Sequence, residues 1–267
     1  MVEKNISLTK FFVNILSTFN EFLIRYVQIF SVSCIDHRNL LLSRISRKFP
    51  ANKIVIIANG FDALDFSSLP TRTNVRESLG ITSNEKVLLF IGRFSGEEYG
   101  AEILLEAFSR LLKEEPGAIL FLVGDRLPSP LQSLLYNIGI DKHTRVYGSI
   151  PHKEIAKFIV ASDICIGPIM PTTAMPLKVL EYMACGKPIV TGKGSVCVDL
   201  HPSINFAESL PEPGELSQIL LEVMRDPLLA MNLSLRVKEL SKNFSWQSIA
   251  ENFETLLAET SERYKAR

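Results

Sequence analysis

From Val87 onward the chain alternates short, continuously apolar runs with longer amphipathic segments, and this alternation limits the possible folds more than any other feature. The apolar runs cover residues 87–91, 119–123, 146–147, 164–166 and 188–191. Helical periodicity fills 101–113, 130–138, 153–161, 177–185, 215–225, 227–242 and 246–264. A strand that is apolar throughout is covered on both faces, and connections of helical length join parallel strands. The pattern predicts an α/β fold, a doubly wound parallel sheet with helices on both sides. With 46% hydrophobic residues in 267, the chain has enough apolar surface for that core.

The first 65 residues read differently. Leu8, Phe11, Phe12, Ile15, Leu16, Phe19, Phe22 and Leu23 recur at helical spacing, which predicts an amphipathic helix over 8–25 with a broad apolar face and no obvious cover nearby. Lys10, Glu21 and Arg25 interrupt it, so no run approaches the roughly 18 apolar residues of a spanning helix. A strand over 27–33, a helix over 36–49 and a strand over 53–58 are expected next, closed by a turn at Asn59-Gly60. The chain is thereby divided into a short N-terminal unit (1–65), a Rossmann-like domain (66–245) and a closing helix (246–267).

Charge and motif spacing exclude several classes of function. Lys and Arg together number 29, as do Asp and Glu, so no overall field recruits nucleic acid, and any small anion must be held by local chemistry. Cys34, Cys165, Cys185 and Cys197 lack CxxC spacing, which points to reduced, buried thiols in the cytoplasm, with neither disulfide nor zinc. The run Thr191-Gly192-Lys193-Gly194-Ser195 lacks the spacing of a phosphate loop, and Gly92, Gly96 and Gly100 do not form GxGxxG. His37, His143, His152 and His201 are scattered and receive no role.

In a doubly wound sheet, ligands lie beyond the carboxyl ends of the strands. Gly92-Arg93, Gly124-Asp125-Arg126, Gly148-Ser149 and Gly167-Pro168 each follow a strand there. Arg93 either holds a phosphate bidentately or is a surface arginine of a polar loop. The segment from Met175 to Pro188 reads as a helix opening at Pro176 and stopping at Gly186. Free N–H groups of Leu177 and Lys178 at such a start suit a diphosphate. Glu181, one turn further in, is placed for a ribose hydroxyl pair or faces solvent.

These residues compose a recognisable series: Ile56-Ile57-Ala58-Asn59-Gly60-Phe61-Asp62, Ile91-Gly92-Arg93, Leu122-Val123-Gly124-Asp125, Val146-Tyr147-Gly148, and Glu181-Tyr182-Met183-Ala184-Cys185-Gly186-Lys187-Pro188-Ile189-Val190, with Phe244-Ser245-Trp246 before the last helix. In order and spacing they resemble the C-terminal domain of the retaining GT-B glycosyltransferases, the family that includes sucrose synthases and bacterial mannosyltransferases. The resemblance spans roughly residues 25–260, and its specificity lies in the ordered combination. It implies a nucleoside-diphosphate-sugar donor, with Arg93 on the diphosphate and Glu181 on the ribose; Lys178 is expected to supply part of the positive charge that the family's usual second lysine would bring. Gly92, Gly124, Asp125, Pro176 and Leu177 would line the donor, and the main chain near Gly148, Ser149 and Ile150 would meet the base. Neither metal nor cofactor is implied.

Three departures from the family pattern matter. Tyr99 stands where a second diphosphate lysine is usual, and Thr173 where a glutamate partner of Glu181 is usual. The family's N-terminal domain is represented only by residues 1 to about 50. Two readings follow: a fragment or subunit of a cytoplasmic glycosyltransferase that needs a partner domain, or a noncatalytic nucleotide-sugar-binding or scaffold protein. The apolar face of the 8–25 helix would serve self-association, a protein partner or peripheral membrane contact.

Overall fold

The computed structural model describes residues 27, 29–44, 50–94, 100–172 and 174–265. The helix expected over 8–25 lies outside these residues, as do Tyr99 and Thr173. The chain forms two compact units, Met1–Ile57 and Ala58–Arg267.

In the first unit β1 (Phe30–Val32) runs parallel to β2 (Ile54–Ile56), with Phe30 opposite Ile54 and Val32 opposite Ile56. Helix α1 (Ile35–Arg44) lies between them in sequence, with Asp36 in its first turn and Arg44 in its last, matching the helix dipole. Both strands are shorter than the sequence suggests. Residues Ala51–Lys53 form a 3₁₀ turn after Pro50, so the strand expected from 53 starts at Ile54.

The second unit opens with a 3₁₀ turn (Ala63–Phe66) and helix α2 (Arg72–Ser78), neither of which the sequence pattern predicts. Then follow β3 (Lys86–Gly92), α3 (Ala101–Leu111), β4 (Ala118–Gly124), α4 (Ser129–Asn137), β5 (Thr144–Tyr147), α5 (His152–Ala161) and β6 (Ile164–Ile166). The chain continues through α6 (Leu177–Ala184), β7 (Ile189–Gly192), α7 (Pro202–Asn205), β8 (Ala207–Ser209), α8 (Pro213–Arg225), α9 (Pro227–Ser241) and α10 (Trp246–Lys265). The six strands β3–β8 form one parallel sheet in the order β5-β4-β3-β6-β7-β8.

Burial explains the order. Residues Val87–Phe90 of β3 and Leu120–Val123 of β4 are almost wholly excluded from water, as expected for central strands covered on both faces. Helix α3 buries Ala101, Leu104, Leu105, Phe108 and Leu111, a stripe at i, i+3, i+4 and i+7 that packs against α8 through Leu216 and Leu220. Phe121, Tyr147 and Phe158 form an edge-to-face cluster between β4, β5 and α5. Cys34, Cys165 and Cys197 are buried and in no disulfide, whereas Cys185 is only half-buried. No helix among the described residues is long and apolar enough to cross a membrane.

Candidate functional site

The strand order reverses between β3 and β6: β3, β4 and β5 run toward one edge of the sheet, and β6, β7 and β8 toward the other. Helices leaving β3 and β6 therefore diverge to opposite faces, and a crevice opens at the carboxyl ends of these two strands. Gly92 ends β3 there, and Gly167 follows β6.

Two glycines let backbone and charge come together at this crevice. Gly124 pairs with Gly92 across β4 and β3 and holds φ 156°, and a Cβ on Gly124 would lie 1.8 Å from the Gly92 carbonyl oxygen. A Cβ on Gly92 would lie 2.8 Å from Nζ of Lys178. The Lys178 ammonium thus reaches across from the first turn of α6 to the end of β3, where it stands 4.2 Å from the centre of the Phe90 ring. Burial lowers its pKa to about 8, and among the described residues it has no carboxylate or carbonyl partner. Arg93 follows Gly92 and is exposed, its guanidinium likewise unpaired among the described residues. Two cations therefore stand at the end of one strand without counter-ions among the described residues.

Helix α6 is held in register by its neighbours. The Ile91 amide donates to Oη of buried Tyr182 at 2.9 Å, and Nδ2 of Asn59 donates to the Met175 carbonyl at 3.0 Å just before the helix. Pro176 precedes the first turn and no side chain caps it, so the N–H groups of Leu177 and Lys178 have no intrahelical acceptor. Glu181, one turn on, is buried and does not face bulk solvent. Desolvation raises its pKa, and a hydrogen bond from His152 at 2.7 Å opposes that rise.

The loops after β4 and β5 meet beside this strand end. Oδ1 of Asp125 accepts from the Phe94 amide at 2.9 Å, so Asp125 shapes the turn that carries Arg93. Oγ of Ser149 donates to the Gly124 carbonyl at 3.3 Å. Asp125, Gly148 and Ser149, with Arg126, Gln132, Tyr136 and Val146, line a cleft of about 540 Å³. Ile150 is half-buried at its side, and Gly148 faces open space.

Residues assigned from sequence therefore fall into two linked groups. Gly92, Arg93, Pro176, Leu177, Lys178 and Glu181 gather around β3 and α6, while Asp125, Gly148 and Ser149 line the cleft, with Gly124 and Ile150 next to them in the chain. The hydrogen bonds of Asp125 and Ser149 tie the groups together. His152 and Asp65 went unassigned in the sequence, yet the ring contacts both Glu181 and Asp65. The signal available was Pro151-His152 opening a helix directly after the Gly148-Ser149 loop.

Residues 85–216 match the family model of the group 1 glycosyl transferases. An uncharacterized glycosyltransferase of Methanocaldococcus jannaschii is 23% identical over 210 residues, covering 76% of this chain and 53% of its own length. The lipopolysaccharide 1,2-N-acetylglucosaminetransferase of Salmonella typhimurium is 27% identical over 223 residues, 78% of this chain and 57% of its own. The chain thus spans about half the length of the curated relatives it matches.

Solved glycosyltransferases share the fold. The Anabaena protein HepE, in a complex with UDP, superposes with a TM-score of 0.77 at 20% identity over 88% of this chain and 65% of its own. HepE has also been solved with UDP-glucose. Sucrose-phosphate synthase from Thermosynechococcus elongatus gives 0.72 at 20% identity over 87% of this chain and 58% of its own. The parallel sheet and its flanking helices are those of the GT-B glycosyltransferase domain.

Proposed function

We propose that this chain is the donor-binding half of a retaining, metal-independent glycosyltransferase that uses a nucleoside-diphosphate sugar. The observation that carries this reading is the Lys178 ammonium, desolvated beside Gly92 and without a counter-charge among the described residues. A buried unpaired cation is costly, and an anionic ligand at the same place relieves that cost. Arg93 and the uncapped start of α6 supply further positive potential next to it.

On this reading the diphosphate lies over Gly92 against Arg93, Lys178 and the N–H groups of Leu177 and Lys178. Glu181 accepts from the ribose, and the base enters the cleft beside Gly148 and Ser149. As the bond from the sugar to the diphosphate breaks, negative charge grows on the leaving oxygen, and the two cations stabilise it in the role that a divalent metal fills elsewhere. An acceptor domain beyond these 267 residues brings the attacking hydroxyl, and the chain works in the cytoplasm without a further cofactor. That crystals of HepE hold UDP and UDP-glucose supports the donor class.

A second reading, a noncatalytic nucleotide-sugar binder or scaffold, is favoured by Tyr99 and Thr173 in place of the family's usual lysine and glutamate. Thermal denaturation with UDP, GDP and ADP sugars in the presence of a chelator tests donor binding, since a ligand of the folded state alone raises the melting temperature. At least one sugar nucleotide is expected to do so, and a flat response across the panel would refute the proposal.

A further inference from the structure

The His152 ring has a carboxylate on each side. Nε2 lies 2.7 Å from Oε1 of Glu181, and Nδ1 lies 3.3 Å from Oδ2 of Asp65. Three separate elements meet in this contact: His152 opens α5, Glu181 sits in α6, and Asp65 belongs to the 3₁₀ turn Ala63–Phe66. A neutral imidazole carries one N–H, so only the imidazolium presents a positive N–H to both carboxylates at once, in a hydrogen bond to Glu181 and an ion pair with Asp65. The His152 side chain is 57% exposed while that of Glu181 is 10% exposed, so water reaches the ring but hardly the carboxylate it holds. Oε2 of Glu181 has no partner among the described residues.

We propose that His152 is the positioning residue of Glu181: in its charged form, braced by Asp65, it engages Oε1 and leaves Oε2 to accept from the donor's ribose. The inference rests on the reading of Glu181 as the ribose acceptor. A carboxylate as buried as this one tends to take up a proton, and a protonated Glu181 is a poorer acceptor for a diol. The His152 charge opposes that tendency, and its hydrogen bond fixes the carboxylate's orientation. The bond to Glu181, and then the charges of Glu181 and Asp65, raise the His152 pKa above 6.5 against the opposing effect of burial. These are the charged groups that face the ring from the packed elements. On its own helix Lys153 and Glu154 follow it, and Glu154 is bound by Lys157 at 2.5 Å.

The consequence is a pH-dependent preference for ribose. Below its raised pKa His152 is charged and bridges both carboxylates. As pH rises through that pKa, the neutral ring keeps one N–H, and either the grip on Glu181 or the brace to Asp65 is lost. The affinity ratio of ribonucleoside to 2′-deoxyribonucleoside diphosphate should fall over this interval.

Calorimetry with UDP, GDP and ADP and their 2′-deoxy forms, between about pH 6 and pH 9, gives this ratio across the His152 titration. H152A should lower the ratio about tenfold at the acid end, the size of one hydrogen bond to a charged group, and flatten its pH profile. H152Q, which retains one uncharged N–H donor, should restore part of the ratio without any pH profile. Should H152A fail to fold, the flat profile of H152Q against the sloping wild-type one carries the test. A wild-type profile retained in either variant would overturn the proposal. If E181Q alone lowers the ratio while both His152 variants match the wild type, the ribose reading stands and only this inference fails. If the wild type binds none of the six nucleotides, both fail.

Discussion

Replacing Lys178 by methionine should make the free protein more stable and a worse ligand binder. Burial brings the Lys178 pKa from 10.5 to about 8, and at about 1.4 kcal/mol per pKa unit the charged form costs the fold about 3 kcal/mol. Methionine fills a similar volume without charge. It gives up the contact of the ammonium with the Phe90 ring, worth about 1 kcal/mol. The net expectation at pH 7 is a gain of about 2 kcal/mol, or a melting temperature higher by about 4–8 °C for a unit of this size. The sign follows from proton binding. Below pH 8 both folded and unfolded Lys178 are protonated and the penalty is complete. Between about pH 8 and 10.5 the unfolded chain holds the proton that the folded one has released, so wild-type stability climbs with pH toward that of the variant. Urea denaturation at a series of pH values reads this directly, and calorimetry with a nucleoside diphosphate reads the loss of affinity, expected at about 1.5–3 kcal/mol. A K178M protein no more stable than wild type at pH 7, with unchanged diphosphate affinity, would refute the idea of an unmet charge awaiting an anion.

Two further outcomes are expected. Arg93→Ala should weaken diphosphate binding by about 1.5–3 kcal/mol, as for a lost hydrogen bond to a charged group, while leaving the affinity for the free nucleoside unchanged in calorimetry. The isolated chain should self-associate or bind a partner through the apolar 8–25 segment and should transfer no sugar by itself; a clean monomer in sedimentation that glycosylates an acceptor would contradict this.

The central strands were legible because each is a five-residue apolar run set between polar segments. Residues 87–91 and 119–123 extend in the structure by only a residue at each end, to Lys86–Gly92 and Ala118–Gly124. Helix α2 escaped notice because just one of its residues, Val75, is buried. Its anchorage is polar: Arg76 donates to the carbonyls of Ala161, Thr82 and Glu85 and to Asp163, contacts that join segments up to 87 residues apart. No local pattern announces such bonds. Strand β8 and helix α7 are three and four residues long, too short for any periodicity to register.

The candidate site divides along the same line. Arg93, Lys178 and Glu181 were readable because strand ends and helix starts are themselves readable, and a ligand crevice is built from those ends. Their environments were not. That Lys178 turns inward over Phe90 depends on the absence of a side chain at Gly92, 86 positions earlier, a complementarity visible only once β3 and α6 are side by side. The burial of Glu181 and its bond to His152 depend equally on packing between α5 and α6. Sequence spacing can therefore place a charge at a strand end, but the features that make the charge useful come from the fold. These are its desolvation, its missing counter-ion, and the second titrating group that holds a carboxylate in place. On the proposed reading, function in this crevice depends on groups that the free protein leaves partly unsatisfied. Lys178 and Glu181 should be where stabilising substitutions are easiest to find and most damaging to donor binding.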